Sequence, residues 1–168
     1  RQPLWSAATV LNGGKSIFYE CSSSNRFRPN LEQIESKISS RTKAIVVINP
    51  NNPSGAVYDR NTLEAIAELA ESNNLVLLSD EIYDQMIYDD AEFIPMASIA
   101  KNCVCLTFSG LSKIYRACGY RVGWAVFSGD IDRASEYQLG MTKLSALRLC
   151  SNVPGQWAVQ TALGGIQS

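Results

Sequence analysis

Uninterrupted apolar runs alternate along the chain with segments of helical periodicity. Residues 43–48, 75–79 and 103–108 are apolar runs of strand length, and a run without polar alternation is typical of a strand covered on both faces. The run at residues 16–21 predicts one more, short strand. We therefore expect a sheet whose central strands are buried.

Two amphipathic helices are predicted between these runs. The first begins at Asn30, which has the capping-box spacing with Gln33 and precedes apolar residues on one helix face. The second has the same spacing between Asn61 and Glu64. Each helix is expected to pack its apolar face against the sheet. In the second helix that face consists of four residues, Leu63, Ile66, Ala67 and Ala70.

The order of these elements indicates the fold class. Strand, helix and strand joined by short connections predict βαβ units, and hence an α/β fold with a mostly parallel sheet and helices on both faces, in three layers. A last strand is predicted at residues 120–127, which follow residue 108 after about a dozen residues without a helical stripe. This strand is therefore expected to run antiparallel. Residues 130–147 and 154–165 are predicted to be helical.

Composition and charge exclude several classes of function. The 168 residues have the usual length of one domain, and 46% hydrophobic residues suffice for a sizeable core. A net charge of −1 without a basic cluster argues against nucleic-acid binding. No apolar run is long enough to predict a membrane span. Five scattered cysteines favour a reducing, cytoplasmic location.

Histidine is absent from the sequence. This absence excludes catalysis by Ser-His-Asp or Cys-His arrangements, and no metal site is expected. Any chemistry must therefore depend on lysine, carboxylates, tyrosine or a bound cofactor.

Polar and charged residues follow the end of each buried run. Residues 49–55 (NPNNPSG) come after the first run, and Asp80 and Tyr83 come after the second. Lys113 follows the third run, with Arg121 eight residues beyond it. The carboxyl ends of parallel strands meet at one edge of a sheet, where ligands bind in open α/β folds. An amide, a carboxylate, a phenol, an amine and a guanidinium are therefore expected to meet there.

Each of these features has a simpler interpretation when it is taken alone. Residues 49–55 have the composition of a turn, Asp80 suits a helix cap, and a lone Lys113 would ordinarily be solvated. Their coincidence at successive strand ends favours a functional interpretation. A lysine amine forms a Schiff base with an aldehyde cofactor. Pyridoxal phosphate is such a cofactor, and it needs a carboxylate at its ring nitrogen, donors at its 3′ oxygen and a cation at its phosphate.

Three ordered motifs carry a resemblance to a known family. They are residues 49–55 (NPNNPSG), 79–83 (SDEIY) and 109–113 (SGLSK), the last of which is followed by GYRVG at 119–123. Together they resemble the fold-type I, class I/II aminotransferases, which use pyridoxal 5′-phosphate, over essentially the whole chain. The segments that include RLCSNVPG and ALGG are most similar to the bacterial alanine aminotransferases, which pair alanine with 2-oxoglutarate or glutamate with pyruvate.

The resemblance implies roles for five residues. Lys113 would be the catalytic lysine that carries the cofactor and shuttles the proton of the substrate Cα. Asp80 would pair with the pyridinium nitrogen, and Arg121 would hold the phosphate. Tyr83 and Asn52 would hydrogen-bond the 3′ oxygen, with Asn52 also near the substrate carboxylate. The implied partners are a small amino acid and a 2-oxo acid.

The chain departs from the family pattern at particular positions. Gly110 stands three residues before the lysine, where many relatives have a hydroxyl, so Ser109 or Ser112 is expected to replace that phosphate contact. Gln2 stands where the family often has an aromatic residue stacked on the cofactor. The family's upstream glycine-rich phosphate loop and its downstream arginine for the substrate carboxylate have no counterpart in the sequence.

These departures imply that residues 1–168 are an incomplete large, cofactor-binding domain and that the small domain is absent from this chain. The full-length protein is expected to be a homodimer, and the chain alone is expected to be inactive. Two alternatives share the motifs. One is a pyridoxal-phosphate-dependent carbon–sulfur lyase or synthase, and the other is the aminotransferase-like sensor domain of a transcription regulator.

Overall fold

Four strands form one sheet in the computed structural model, which describes residues 3–165. β1 pairs with β2 and β2 with β3 in parallel, whereas β3 and β4 pair antiparallel. The α/β class, the parallel set and the reversed last strand are therefore confirmed. The strands lie in sequence order across the sheet and are β1 (Ala44–Ile48), β2 (Val76–Asp80), β3 (Val104–Gly110) and β4 (Gly123–Gly129).

Helices surround the sheet in the described part of the chain. The two predicted C-terminal helices are confirmed as α5 and α6, whereas α1 has no counterpart among the predicted elements. None of the helices in residues 3–165 is both long and apolar enough to span a membrane. The helices are α1 (Pro3–Leu11), α2 (Leu31–Lys37), α3 (Arg60–Ser72), α4 (Met96–Ile99), α5 (Ser135–Ala146) and α6 (Val153–Gly164).

The sheet buries a different set of side chains on each face. Val47 and Leu77 are fully buried in a core cluster that also contains the apolar side chains of α3 and α4. Leu106 belongs to a second buried cluster, against which Leu78 of β2 and Met141 of α5 pack. Helices thus cover both faces, as apolar strands without polar alternation predict.

The second predicted helix, α3, begins two residues earlier than the capping-box spacing indicated. Its N-cap is Asp59 rather than Asn61, and the Asp59 side chain accepts a hydrogen bond from the Thr62 N–H at 2.9 Å. Hydrogen bonds from Thr62 lower the pKa of Asp59, and Arg28, 2.8 Å away, acts in the same direction. The predicted apolar face is confirmed, because all four of its members, Leu63, Ile66, Ala67 and Ala70, are buried.

Residues 16–21 do not form a strand, so that prediction was wrong. The Glu20 N–H donates to Gln33 Oε1 at 2.7 Å, and the Glu20 carbonyl accepts from the Asn30 N–H at 2.9 Å. The Tyr19 hydroxyl donates to the Val46 carbonyl at 2.7 Å. These bonds place the segment beside α2 and β1, and the backbone of Glu20 bonds to the start of α2 rather than to a strand. Asn30 caps α2 as predicted, accepting from the Gln33 N–H.

Glu81 is a buried carboxylate between the sheet and α4. Its exposed fraction is 5%, and its Oε1 accepts from the Ser79 hydroxyl at 2.8 Å and from the Met96 N–H at 2.9 Å. Burial raises the pKa of Glu81, and the neighbouring Asp84 and Asp80 add to this rise. The folded state therefore binds the Glu81 proton more tightly than the unfolded chain does. Between the pKa of Glu81 in the unfolded chain and its higher pKa in the folded protein, the contribution of Glu81 to stability falls as pH rises.

We predict that Glu81→Gln in the full-length protein becomes more stable relative to the parent as pH rises from about 5 to about 8. The amide oxygen can accept the same two hydrogen bonds, and the amide carries no charge to bury. Urea-unfolding midpoints across this range measure the difference. Glu92→Gln, at an exposed position, is the control and should differ from the parent by a constant amount. A difference for Glu81→Gln that does not change with pH would contradict the buried-charge explanation.

Candidate active site

A cavity of about 620 Å³ opens at the carboxyl ends of β1, β2 and β3. Ile48, Asp80 and Phe108 are register partners at these strand ends, so the segments that follow them start side by side. Four of the five side chains that the sequence singled out line this one cavity. Its described lining residues are Pro3, Asn52, Pro53, Asp80, Ile82, Tyr83, Phe108, Ser109 and Lys113.

The loop after β1 turns the chain and also presents Asn52. Asn49 is buried, and its Oδ1 accepts from the Tyr58 N–H at 2.9 Å, which joins the start of the loop to its end. Gly55 has a φ of 73°, in the left-handed region that glycine tolerates without strain. In the loop held this way, Asn52 Nδ2 donates to the Tyr83 hydroxyl at 3.0 Å.

Asp80 ends β2 as a carboxylate with a hydrogen bond at each oxygen. Oδ2 accepts from the Trp5 indole N–H at 3.0 Å, and Oδ1 accepts from the Ile82 N–H at 3.4 Å. Residues 82–85 form a turn rather than a helix, so Asp80 does not cap a helix here. The carboxylate is therefore a fixed acceptor in the wall of the cavity.

Lys113 lies in the turn that follows β3. Its Nζ is 6.0 Å from the centroid of the Tyr83 ring. The Arg116 N–H donates to the Lys113 carbonyl at 3.0 Å, and Leu111, which is 1% exposed, anchors the start of the turn in the core. The lysine amine consequently shares one cavity with a phenol and with the Asp80 carboxylate.

Arg121 lines a second, neighbouring cavity of about 240 Å³. The two cavities share Ile82 and Ser109, and Ser112 also lines the second. The Arg121 guanidinium donates to the Cys118 carbonyl at 2.7 Å. The second cavity thus holds the Arg121 cation and two serine hydroxyls, and it adjoins the cavity that holds the Asp80 carboxylate and the Lys113 amine.

Gly110 is the register partner of Gly123 where β3 and β4 pair beside the second cavity. A Cβ at this position would lie 2.8 Å from the Val122 carbonyl oxygen and 3.0 Å from the Gly123 Cα. Both are backbone atoms, which cannot rotate away as a side chain can. The close approach leaves no room for a hydroxyl side chain at this position. Ser109 and Ser112, the replacements expected from the sequence, line the second cavity.

Trp5 is the site residue that sequence reasoning missed. It lies in α1, which has no buried residue, so hydrophobic periodicity gave no signal. Its ring packs edge-on against Phe108, with the ring centroids 5.4 Å apart and an interplanar angle of 76°. The residue type alone could have singled out Trp5, because the indole N–H of a tryptophan usually finds a hydrogen-bond acceptor when it is buried. Gln2, the other N-terminal position considered, lies outside the described residues.

Comparison with known proteins identifies the family to which this site belongs. The family model described as aminotransferase class I and II matches residues 5–168. The chain belongs to this family. It is 52% identical over 166 residues to the alanine aminotransferase of Mycobacterium bovis. It is 49% identical over the same length to the glutamate-pyruvate aminotransferase AlaA of Escherichia coli, and each alignment covers 99% of this chain.

Solved aminotransferase structures share the fold of the chain. An aminotransferase from Escherichia coli matches with a TM-score of 0.95 at 49% identity over 99% of the chain. The alanine aminotransferase from Pyrococcus furiosus matches with a TM-score of 0.94 at 39% identity over 98% of the chain. The chain spans 39% and 41% of the length of the two curated relatives and 41% and 42% of the two structures.

We predict that Gly110→Ala lowers the unfolding free energy of the full-length protein by about 1–3 kcal/mol, because the added methyl group overpacks two strand backbones. Gly140→Ala in α5 is the matched control. Outside the nearby backbone of α5 itself, no atom of the described structure lies within 4 Å of a Cβ at residue 140. Alanine favours a helix interior, so the stability of this variant should be equal to or above that of the parent. Denaturant unfolding measures both variants. A Gly110→Ala variant as stable as the parent would show that the strands separate without cost.

Proposed function

We propose that the full-length protein is a pyridoxal 5′-phosphate-dependent aminotransferase. It transfers an amino group between alanine or glutamate and the 2-oxo acids pyruvate or 2-oxoglutarate. The observation that carries the proposal is the meeting of four side chains, those of Asn52, Asp80, Tyr83 and Lys113, around one cavity. The names of the relatives, alanine aminotransferase and glutamate-pyruvate aminotransferase, support the class of substrate.

The chemistry of the two cavities fits this cofactor. The larger cavity offers a carboxylate for a ring nitrogen, an amine for an aldehyde, and the Asn52–Tyr83 pair for the 3′ oxygen. The smaller cavity offers Arg121 and two hydroxyls, a set that suits a phosphate. Asp80, Asn52, Tyr83, Lys113 and Arg121 would therefore hold the group. When bound, the cofactor supplies an aldehyde that takes the amino group and a ring that accepts electrons.

The residues of the chain divide the remaining work. Lys113 Nζ would take the proton from the Cα of the amino donor and would later supply the proton that the Cα of the new amino acid gains. It is the amine among the described residues that line the cavity. Asp80 holds a proton at the ring nitrogen, which keeps the ring positively charged. The hydrogen bond between Asn52 and Tyr83 holds the amide and the phenol in one arrangement. Asn52 would also bind the substrate carboxylate.

We further propose that residues 1–168 are part of the large, cofactor-binding domain of a cytoplasmic homodimer whose small domain lies outside this chain. The alignment of nearly the whole chain with about two fifths of its relatives supports the domain assignment. Leu144, Leu147 and Trp157 are 68%, 79% and 70% exposed, and such apolar surface favours burial against further protein. The odd, scattered set of five cysteines favours the reducing compartment.

An assay with both substrates tests the reaction. Full-length protein with pyridoxal phosphate, alanine and 2-oxoglutarate should form pyruvate and glutamate in equal amounts. Release of pyruvate and ammonia from a sulfur-containing amino acid such as cysteine, without 2-oxoglutarate and in place of the alanine reaction, would indicate a lyase and would overturn the proposal. Residues 1–168 alone should form neither product, because the binding of the phosphate and of the substrate carboxylate is expected to need residues outside this chain.

We predict that borohydride fixes pyridoxal phosphate covalently to the full-length protein and that peptide mapping finds the adduct on Lys113. Lys113→Ala should lose both the covalent fixation and transamination, because none of the other described residues that line the cavity carries a side-chain amine. Lys101→Ala, at an exposed position, is the control and should retain both. An adduct on Lys101 or Lys143 in the parent would refute the assignment.

We predict that Asp80→Ala lowers the transamination rate of the full-length protein by about 10² to 10³, the loss typical of one removed electrostatic partner. Without the carboxylate, the ring nitrogen loses its proton and the ring becomes a poorer acceptor of electrons. Single-turnover kinetics with alanine measure the effect. Asp90→Ala, at an exposed position, should leave the rate unchanged. A rate for Asp80→Ala within threefold of the parent would rule out this role.

A further inference from the structure

We propose that Trp5 is a positioning residue that fixes the Asp80 carboxylate for the ring nitrogen of the cofactor. This inference rests on the proposed function, in which Asp80 meets that nitrogen. Trp5 Nε1 lies 3.0 Å from Asp80 Oδ2, and the bond joins residues 75 positions apart in the sequence. It therefore ties α1 to the end of β2, at the cavity.

The Trp5 bond is the shorter of the two that hold the carboxylate. The other donor, the Ile82 N–H, is 3.4 Å from Oδ1, beyond the usual range of about 2.7–3.2 Å for a strong N–H···O bond. Hydrogen bonds weaken as they lengthen, so the indole provides most of the restraint on rotation of the carboxylate. Removing the indole N–H would leave Asp80 oriented by one long local bond.

Packing fixes the indole itself. Its ring lies edge-on to Phe108, whose Cα is the register partner of the Asp80 Cα on the adjacent strand. The Thr9 hydroxyl donates to the Trp5 carbonyl at 2.8 Å within α1. The contact with Phe108 of β3 thus positions the indole N–H, which donates to Asp80 on the neighbouring strand, β2.

An indole is well suited to hold this carboxylate. Its N–H only donates and carries no formal charge. A lysine or arginine at the same place would neutralise the carboxylate and repel a protonated ring nitrogen. Trp5 instead leaves the negative charge of Asp80 available to the ring while limiting the directions in which its oxygens point.

The test uses the full-length protein, pyridoxal phosphate and the analogue in which carbon replaces the ring nitrogen. Dissociation constants for both compounds give the preference of the site for a ring nitrogen. Trp5→Phe keeps an aromatic ring against Phe108 but removes the N–H. In this variant we expect the ratio of the two dissociation constants to fall about tenfold, the value of one charge-assisted hydrogen bond. The affinity for the analogue should stay unchanged.

Three further variants make the comparison specific: Trp157→Phe, Asp80→Asn, and the double variant of Asp80→Asn with Trp5→Phe. Trp157→Phe is the matched control, since Trp157 is 70% exposed on α6, and it should keep the full preference. In an Asp80→Asn background, Trp5→Phe should cause no additional change, because the two residues act through one interaction.

Each outcome has a defined meaning. Equal loss of affinity for both compounds in Trp5→Phe would show that the indole only supports the fold, and an unchanged preference would show that its hydrogen bond does not matter. Either result overturns the inference while leaving the proposed function in place. A parent protein that binds pyridoxal phosphate no better than unrelated proteins do would overturn the proposed function and this inference together.

Discussion

The in-register pairing of three parallel strand ends is the constraint on which the site depends. Ile48, Asp80 and Phe108 are Cα partners across β1, β2 and β3, and paired strands lie about 4.8 Å apart. The loops that carry the functional side chains therefore start as neighbours. A shift of one residue in β2 would turn every side chain to the opposite face. Glu81 would then occupy the position of Asp80, and the carboxylate of the site would enter the core.

The alternation of strand faces gives two adjacent carboxylates different tasks. Glu81 points to the face covered by α4, where it accepts from the Met96 N–H and is almost fully buried. Asp80 points to the cavity, where it accepts from Trp5. Each carboxylate connects β2 to a different helix, so the end of one strand organises both the core and the site. Glu81 is thus buried against α4, apart from the cavity that Asp80 lines.

The sequence was sufficient wherever a feature depends on periodicity or on parallel topology. Unbroken apolar runs identified the strands, and parallel strands bring their carboxyl ends together, which placed Asp80 and Lys113 at one edge. Arg121 reaches that edge for the opposite reason: it precedes β4, which runs antiparallel. Its separate cavity depends on backbone positions that no pattern encodes. The strand expected at residues 16–21 does not form, and the backbone of Glu20 bonds instead to Gln33 and Asn30 at the start of α2. Trp5 was missed because α1 buries no residue.

The attachment of α1 to the site links the local stability of this helix to occupancy of the cavity. No residue of this helix is buried, yet Pro3 lines the cavity and Trp5 contacts the strand ends. Segments with little buried surface detach at low free energy, and a molecule that requires the attached helix raises that free energy by mass action. Protection of the α1 amides from hydrogen exchange should therefore rise with occupancy of the cavity, while exchange in β2 stays governed by global unfolding. Hydrogen exchange in α1 would therefore measure how much of the protein has its cavity occupied.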